Sequence, residues 1–175
     1  TRYDDVLADP DVDIVYLCTP NSQHLDQAVA ALESGKHTFV EKPLAVTVEE
    51  CQRIVDAARR SGKQVMVGHG ARFSRLFVAI HKLVKDGTLG EPCFVEGDYV
   101  HDLGPFVDLP GHDWWMDVET EGELPIIGGA CHPLDLMRWI AGEIVEVSAY
   151  GARRNIPQAP WCDTVIASLK FASGA

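Results

Sequence analysis

Two short segments of the sequence carry residues that could transfer a proton. Glu41, Lys42 and Pro43 follow an apolar run, and His132 stands three residues before Asp135. A lysine suits proton transfer or the anchoring of a hydroxyl group, and a histidine beside a carboxylate can be an oriented general base. Both segments are therefore candidates for a site that handles a substrate hydroxyl.

The Glu-Lys-Pro turn is the stronger candidate because of its place in the chain. The run before it, residues 37–40, predicts a short buried strand, and ligands bind at the carboxyl ends of strands in open α/β sheets. Pro43 has no amide hydrogen and a fixed φ, so it should hold Lys42 in a defined turn. On these residues alone, a solvated Glu-Lys pair at a strand end explains the pattern equally well.

His132 begins a predicted helix that follows Gly128 and Gly129. Residues three apart share a helix face, so Asp135 can lie beside the histidine. A second interpretation stays open at this point. His132 could act as a helix cap, with Asp135 facing solvent or pairing with Arg138.

The first part of the chain alternates between predicted strands and helices. Apolar runs predict strands at residues 13–18, 37–40 and 64–67. Residues 1–10 are predicted to be helical, and amphipathic helices are predicted to end at Gly35 and Gly62. The second of these helices should start with a capping box of Thr47 and Glu50 and bury a stripe of Val48, Cys51, Ile54, Val55 and Ala58. Repeated βα units predict a parallel sheet with right-handed crossovers.

The pattern changes after Phe73, where a domain boundary is expected. Further elements are predicted in this order: a helix over 74–86, a strand with an exposed face over 93–101, an irregular stretch over 103–120, a helix over 131–141, and strands over 145–149 and 165–171. The last two strands alternate apolar and polar residues, which predicts an antiparallel pair with one packed face. The fold class is therefore α/β, with domains at 1–73 and 74–175.

The carboxyl ends of parallel strands meet at one edge of a sheet. We therefore expect Thr19, Pro20 and Asn21 to lie along the same crevice as the Glu-Lys-Pro turn and Gly68. The predicted helix after Asn21 presents free amides and the positive end of its dipole there, which suits a phosphate or another anionic or polar group.

Composition excludes several classes of partner. The net charge of −11 argues against binding to nucleic acid or to an anionic membrane. No apolar run approaches the ~20 residues of a membrane span, and no signal peptide is recognisable. The five cysteines are scattered and form no CxxC pair, which predicts a reducing compartment, and the cytoplasm is the expected location.

No metal site is expected, because His24, His69, His101 and His112 lack the spacing of metal ligands. The sequence also contains no GxSxG, Walker A or GxGxxG motif. The missing GxGxxG contrasts with a strand-helix pattern that otherwise suits a dinucleotide-binding fold.

Four segments resemble the glucose-fructose oxidoreductase and inositol dehydrogenase (Gfo/Idh/MocA) family of NAD(P)-dependent enzymes. They are residues 8–24 (ADPDVDIVYLCTPNSQH), 31–45 (ALESGKHTFVEKPLA), 68–73 (GHGARF) and 128–139 (GGACHPLDLMRW). The resemblance implies the C-terminal half of a Rossmann domain over 1–73 and the first part of a substrate-binding α/β domain, with a largely antiparallel sheet, over 74–175. It also implies that the chain is part of a longer protein.

The resemblance implies hydride transfer between NAD or NADP and a sugar, polyol or related hydroxyl compound. Lys42 and His132 match the family's proton-transfer residues, and Asp135 is a further catalytic candidate. The positions expected to bind the cofactor are Thr19, Pro20, Asn21, His24, Glu41, Lys42, Pro43 and Arg72. A homodimer or homotetramer is also expected.

The chain departs from the family pattern at Gly128, where an aspartate is common. Three alternatives stay open: Asp135 replaces that aspartate in function, the histidine works alone, or the substrate geometry differs. Two alternative functions follow: an NAD-dependent glycoside hydrolase of the same fold, or a sugar-binding sensor without catalysis.

Overall fold

A computed structural model describes residues 2–175, so the first residue of the predicted helix 1–10 lies outside it. The helices within that part of the chain are α1 (Tyr3–Ala8), α2 (His24–Glu33), α3 (Val48–Ser61), α4 (Arg75–Lys85), α5 (Gly104–Val107), α6 (Val118–Glu121) and α7 (Cys131–Ala141). The strands are β1 (Ile14–Leu17), β2 (His37–Val40), β3 (Val65–Val67), β4 (Ile144–Ala152) and β5 (Thr164–Phe171). The chain divides into two compact units, the first ending at Gly68 and also including Glu119–Gly122.

The first unit is built on a parallel sheet in the order β1-β2-β3, as the repeated βα pattern predicted. Its core is formed by the inward residues of the strands and the buried faces of α2 and α3. The buried apolar residues are Val15, Leu17, Leu25, Ala28, Ala31, Leu32, Val40, Ala45, Ile54 and Ala57. Successive side chains of a strand point to opposite faces of the sheet. In β1, Val15 and Leu17 therefore point into the core, whereas Ile14 and Tyr16 are exposed.

Helix α3 starts and ends as its sequence predicts. The Thr47 hydroxyl accepts a hydrogen bond from the Glu50 amide at 3.2 Å, the Glu50 carboxylate accepts from the Thr47 amide at 3.0 Å, and Gly62 ends the helix at φ 68°. The predicted burial of Val48 is wrong, since this residue is 80% exposed. At about 100° per residue, Val48 points roughly 120° away from the buried Ile54.

The second unit comprises His69–Val118 and Glu123–Ala175. One cluster in it surrounds Trp161 and Val107, and another packs α7 against Phe171 through Met137. The antiparallel pairing of β4 with β5 is confirmed. The expected packed face is largely wrong, because Val145, Val147 and Val165 are 60%, 61% and 41% exposed and burial is confined to the end of β5.

Two other predictions for this unit need correction. The expected strand at 93–101 is not formed, because these residues have no ladder partner among residues 2–175. The stretch over 103–120 is less irregular than expected, since it contains α5, a 3-10 turn at Asp113–Met116 and the start of α6. The domain boundary between residues 73 and 74 stays a prediction.

Within residues 2–175, no helix has the length and apolar character needed to cross a bilayer.

Candidate active site

The carboxyl ends of the parallel strands place the residues of the first unit. The Glu41 amide donates to the Leu17 carbonyl at 2.9 Å, and the Gly68 amide donates to the Val40 carbonyl at 2.8 Å. The turns that follow the strands are thereby fixed side by side at one edge of the sheet. This is the arrangement predicted for Glu41 and Gly68.

The Glu41 carboxylate is turned back over the sheet and held there. Its Oε1 accepts a hydrogen bond from the Tyr16 hydroxyl at 2.5 Å, and its Oε2 accepts one from the Lys42 amide at 3.3 Å. A Cβ at Gly68 would lie 3.2 Å from this carboxylate, so the absence of a side chain at Gly68 leaves the carboxylate room. The hydrogen bond to Glu41 raises the pKa of Tyr16 to about 12.

Tyr16 was missed by sequence reasoning. It pairs with Phe39 in the parallel register, and the two rings stack with centroids 4.4 Å apart. Glu41 lies two residues beyond Phe39 and so projects from the same side of the sheet. Strand register, which could be anticipated from the repeated βα units, was the signal that could have identified this residue.

Lys42 is half-buried at the end of β2, and the peptide bond between it and Pro43 is cis. The backbone bends at residues 42–44, where the proline predicted a turn. The assignment of Lys42 as a catalytic residue and of Pro43 as a cofactor-binding residue stays a prediction.

His24 joins the turns that follow β1 and β2. Its ring is 1% exposed, with Nδ1 at 2.9 Å from the Pro43 carbonyl and Nε2 at 3.0 Å from the Thr19 carbonyl. Both ring nitrogens face backbone carbonyls, and the tautomer of the imidazole decides which of the two carbonyls accepts its hydrogen bond. The assignment of Thr19, Pro20 and His24 to cofactor binding stays a prediction.

The segment that begins at Asn21 is hydrogen-bonded to Glu121, which also belongs to the first unit. Glu121 is 4% exposed, and its carboxylate accepts hydrogen bonds from the Ser22 amide, at 3.1 Å, and from the Ser22 hydroxyl. The Asn21 side-chain amide donates to the Glu121 carbonyl at 3.0 Å. Asn21 thus opens a 3-10 turn that precedes α2, and α2 has no side-chain cap. A carboxylate of the protein takes the position where an anion was expected.

In the second unit, Arg72 and Asp135 form a two-pronged ion pair. Arg72 Nε and Nη2 donate to the two Asp135 oxygens at 2.7 and 2.6 Å, and the hydrogen bond to Asp135 raises the pKa of Arg72. The suggested pairing of Asp135 with Arg138 is wrong, since Arg138 instead bonds Glu143 at 2.9 Å. The Arg72 guanidinium, predicted to bind the cofactor, also lies over the Trp139 ring at 5.4 Å.

His132 lies in the first turn of α7, directly after a π-helical stretch at Pro125–Ala130. Its ring stacks on Tyr99, with centroids 5.8 Å apart. A Cβ at Gly128 would come within 2.9 Å of Leu124 Cδ1, so the backbone at this position is packed closely against a neighbour. The catalytic roles of His132 and Asp135 stay predictions.

Metal binding was considered for the whole part of the chain described. Within residues 2–175, no three histidine, cysteine, aspartate or glutamate side chains are grouped as metal ligands.

Comparison with known proteins identifies the family. The family described as "Oxidoreductase family, NAD-binding Rossmann fold" matches residues 1–69, and the "GFO/IDH/MocA C-terminal domain" matches residues 77–175. A 1-carboxy-3-chloro-3,4-dihydroxycyclohexa-1,5-diene dehydrogenase of Comamonas testosteroni is 36% identical over 82% of this chain. A glycosyl hydrolase family 109 protein of Shewanella baltica is 42% identical over 58% of this chain.

The fold is also found in solved structures. A levoglucosan dehydrogenase in complex with NADH and levoglucosan superposes with a TM-score of 0.91 at 28% identity, covering 99% of this chain. The chain spans 48% of that protein, and 36% and 22% of the lengths of the two curated relatives. Both parts of the chain match one family in the expected order, which confirms the resemblance and the α/β fold class. The chain belongs to the GFO/IDH/MocA family of oxidoreductases.

Proposed function

We propose that the full-length protein is an NAD(P)-dependent oxidoreductase that acts on a hydroxyl-bearing carbon of a sugar, polyol or related compound. The observation that carries this proposal is the Glu41-Lys42-Pro43 turn at the carboxyl edge of a parallel sheet, in a chain matched along both parts by an oxidoreductase family. The relative that covers 82% of the chain is a dehydrogenase, and the solved neighbour binds NADH and levoglucosan.

The residues at the strand ends fit the nicotinamide-ribose part of such a cofactor. A carboxylate can accept about four hydrogen bonds, so Glu41 could accept from ribose hydroxyls in addition to the hydrogen bonds from Tyr16 and Lys42. Thr19, Pro20 and Asn21 would line the same edge, and Lys42 and Pro43 would face the reacting ring. When bound, the nicotinamide supplies the hydride acceptor or donor.

The chain's own residues would handle the proton. Lys42 would hold the substrate hydroxyl, and His132 would take its proton as hydride leaves the same carbon. Asp135 has both oxygens engaged by Arg72, which supports a positioning role for it within the second unit. We further propose residues 1–73 as part of the cofactor domain and 74–175 as part of the substrate domain.

The substrate and cofactor can be identified by absorbance at 340 nm. The full-length protein should reduce NAD⁺ or NADP⁺ with at least one member of a panel of sugars and polyols. Failure with every substrate and both cofactors, in protein shown to be folded, would refute the proposal. We also expect a cytoplasmic homodimer or homotetramer, which localisation and light scattering would check.

An NAD-dependent glycoside hydrolase is the alternative function, and absorbance at 340 nm distinguishes it from a dehydrogenase. The hydrolase relative covers 58% of this chain, whereas the dehydrogenase relative covers 82%. A hydrolase would release free sugar from a glycoside without net formation of NADH. A sensor would bind sugar and show neither reaction.

A further inference from the structure

Tyr16 lies on β1 and is not among the residues proposed above to bind the cofactor or the substrate. We propose that Tyr16 is a positioning residue that fixes the Glu41 carboxylate beside Lys42 and thereby strengthens binding of the nicotinamide cofactor. This inference rests on the proposed function. Tyr16 is not part of the Glu-Lys-Pro turn, and the sequence of that turn does not suggest a role for it.

Tyr16 is hydrogen-bonded directly to Glu41. Its hydroxyl donates to Glu41 Oε1 at 2.5 Å, a distance typical of strong hydrogen bonds to a charged acceptor. The ring is itself held by stacking on Phe39, with the two planes 11° apart. The donor is therefore fixed by the sheet and does not depend on a mobile loop.

The rest of the carboxylate's surroundings support one orientation. The Lys42 amide donates to the other oxygen at 3.3 Å, and Gly68 leaves space that a side chain would fill at 3.2 Å from the carboxylate. Glu41 is thus bonded from β1 and from its own turn. A glutamate side chain that is ordered before a ligand arrives loses less conformational entropy when the ligand binds.

The chemistry of the pair is compatible with a role at neutral pH. The Tyr16 hydroxyl is a neutral donor below its pKa of about 12, so it satisfies one lone pair of Glu41 without removing its charge. The remaining lone pairs can accept hydrogen bonds from a diol such as a ribose. Loss of the tyrosine hydroxyl should therefore weaken cofactor binding and leave the substrate KM unchanged.

The test is a double-mutant cycle in the full-length protein with Tyr16→Phe, Glu41→Gln and the double variant. NADH and NADPH are titrated by fluorescence, and the substrate KM is measured at saturating cofactor. Tyr16→Phe should raise the cofactor Kd about fivefold, the change expected for the net free energy of one typical hydrogen bond, with an unchanged substrate KM. Adding Tyr16→Phe to Glu41→Gln should have no further effect, because the two residues act as a unit.

Tyr150→Phe is the matched control, since Tyr150 is 79% exposed on β4 and should leave the cofactor Kd unchanged. An unchanged Kd in Tyr16→Phe, or effects that multiply in the double variant, would overturn the inference. A general structural role would instead lower the melting temperature of Tyr16→Phe and change both constants.

A second readout separates failure of this inference from failure of the proposed function. If the wild-type protein binds neither cofactor, the proposed function fails, and the pairing is tested by NMR of ¹³Cζ-labelled tyrosine. At pH 11, Tyr16 should remain neutral in the wild type and ionise in Glu41→Gln, because its hydrogen bond to Glu41 raises its pKa to about 12. Ionisation of Tyr16 in the wild type at that pH would show that the hydrogen bond does not form.

Discussion

Arg72 holds Asp135 by both carboxylate oxygens, at 2.7 and 2.6 Å. This ion pair links the 3-10 turn at Gly70–Phe73 to helix α7, and the Nδ1 atom of His69 lies 3.8 Å from the same carboxylate. Asp135 had been a candidate for the place of the aspartate that the family commonly has at position 128. Its engagement with Arg72 favours a structural role in orienting the start of α7.

Asp135→Asn should therefore lower the free energy of unfolding, and its effect on the rate of proton transfer should be secondary. The side chain of Asp135 is 14% exposed and that of Arg72 is 37% exposed, so solvent screens part of the interaction. Loss of the charged hydrogen bonds should cost about 1–3 kcal/mol in the free energy of unfolding, measured with urea. A normal unfolding curve combined with a large fall in kcat would instead make Asp135 a proton-transfer residue.

His24 should be required for the stability of the first unit. A neutral imidazole has one N–H, so His24→Leu would remove one hydrogen bond, to either the Thr19 or the Pro43 carbonyl, at a cost of roughly 1–3 kcal/mol in the free energy of unfolding. Chemical denaturation checks this expectation. Gln23→Ala, at an exposed neighbouring position, should change stability by no more than about 0.5 kcal/mol. Undiminished stability with weaker cofactor binding would mean that His24 contacts the cofactor directly.

Gly128→Asp restores the common family residue, but the structure predicts that it will not fit without adjustment. A Cβ at this position would meet Leu124 Cδ1 at 2.9 Å. Leu124 Cδ1 is the end of a flexible side chain that can move aside, so the variant should be destabilised by no more than about 1 kcal/mol in the free energy of unfolding. Adding Leu124→Val, which shortens the obstructing side chain, should recover part of this loss in a thermal melt. Equal melting temperatures for Gly128→Asp and the wild type would show that the packing at Gly128 is looser than we describe.

Asp163 should make stability depend on pH in acid. Its carboxylate accepts hydrogen bonds from the Ile156, Arg154 and Asn155 amides, and these bonds lower its pKa from 3.8 to about 2. A folded-state pKa below the unfolded value stabilises the protein above pH 3.8, and this contribution is lost as the pH falls towards 2. The melting temperature of Asp163→Asn should thus lie below that of the wild type at pH 7 and converge with it near pH 2. A difference that is constant across this range would contradict the assignment.

Local pattern was sufficient to predict most strands and helices of the first unit before Gly68. Alternating apolar strands and amphipathic helices identify β1, α2, β2, α3 and β3, and the Thr47–Glu50 box marks the start of α3. Parallel topology then brings Glu41 and Gly68 to one edge of the sheet. The strand and helix patterns and the capping box depend on residues close in sequence, and they could be recognised for that reason.

Long-range pairing was not predictable in the same way. The hydrogen bonds of Ser22 with Glu121 join residues 99 positions apart, and those of Arg72 with Asp135 join residues 63 positions apart. Many charged side chains could serve as such partners, and the sequence does not choose among them. The strand expected at 93–101 failed for a related reason, since apolar alternation does not supply a hydrogen-bonding neighbour.

Lys42→Met in the full-length protein shows whether Lys42 belongs to an oxidoreductase site. Methionine keeps much of the side-chain length and removes the charge. We predict that the variant retains its fold and binds NADH, while the rate of substrate-dependent NAD(P)H formation falls by about 10²–10⁴-fold. A variant that oxidises the same substrate at the wild-type rate would contradict the account.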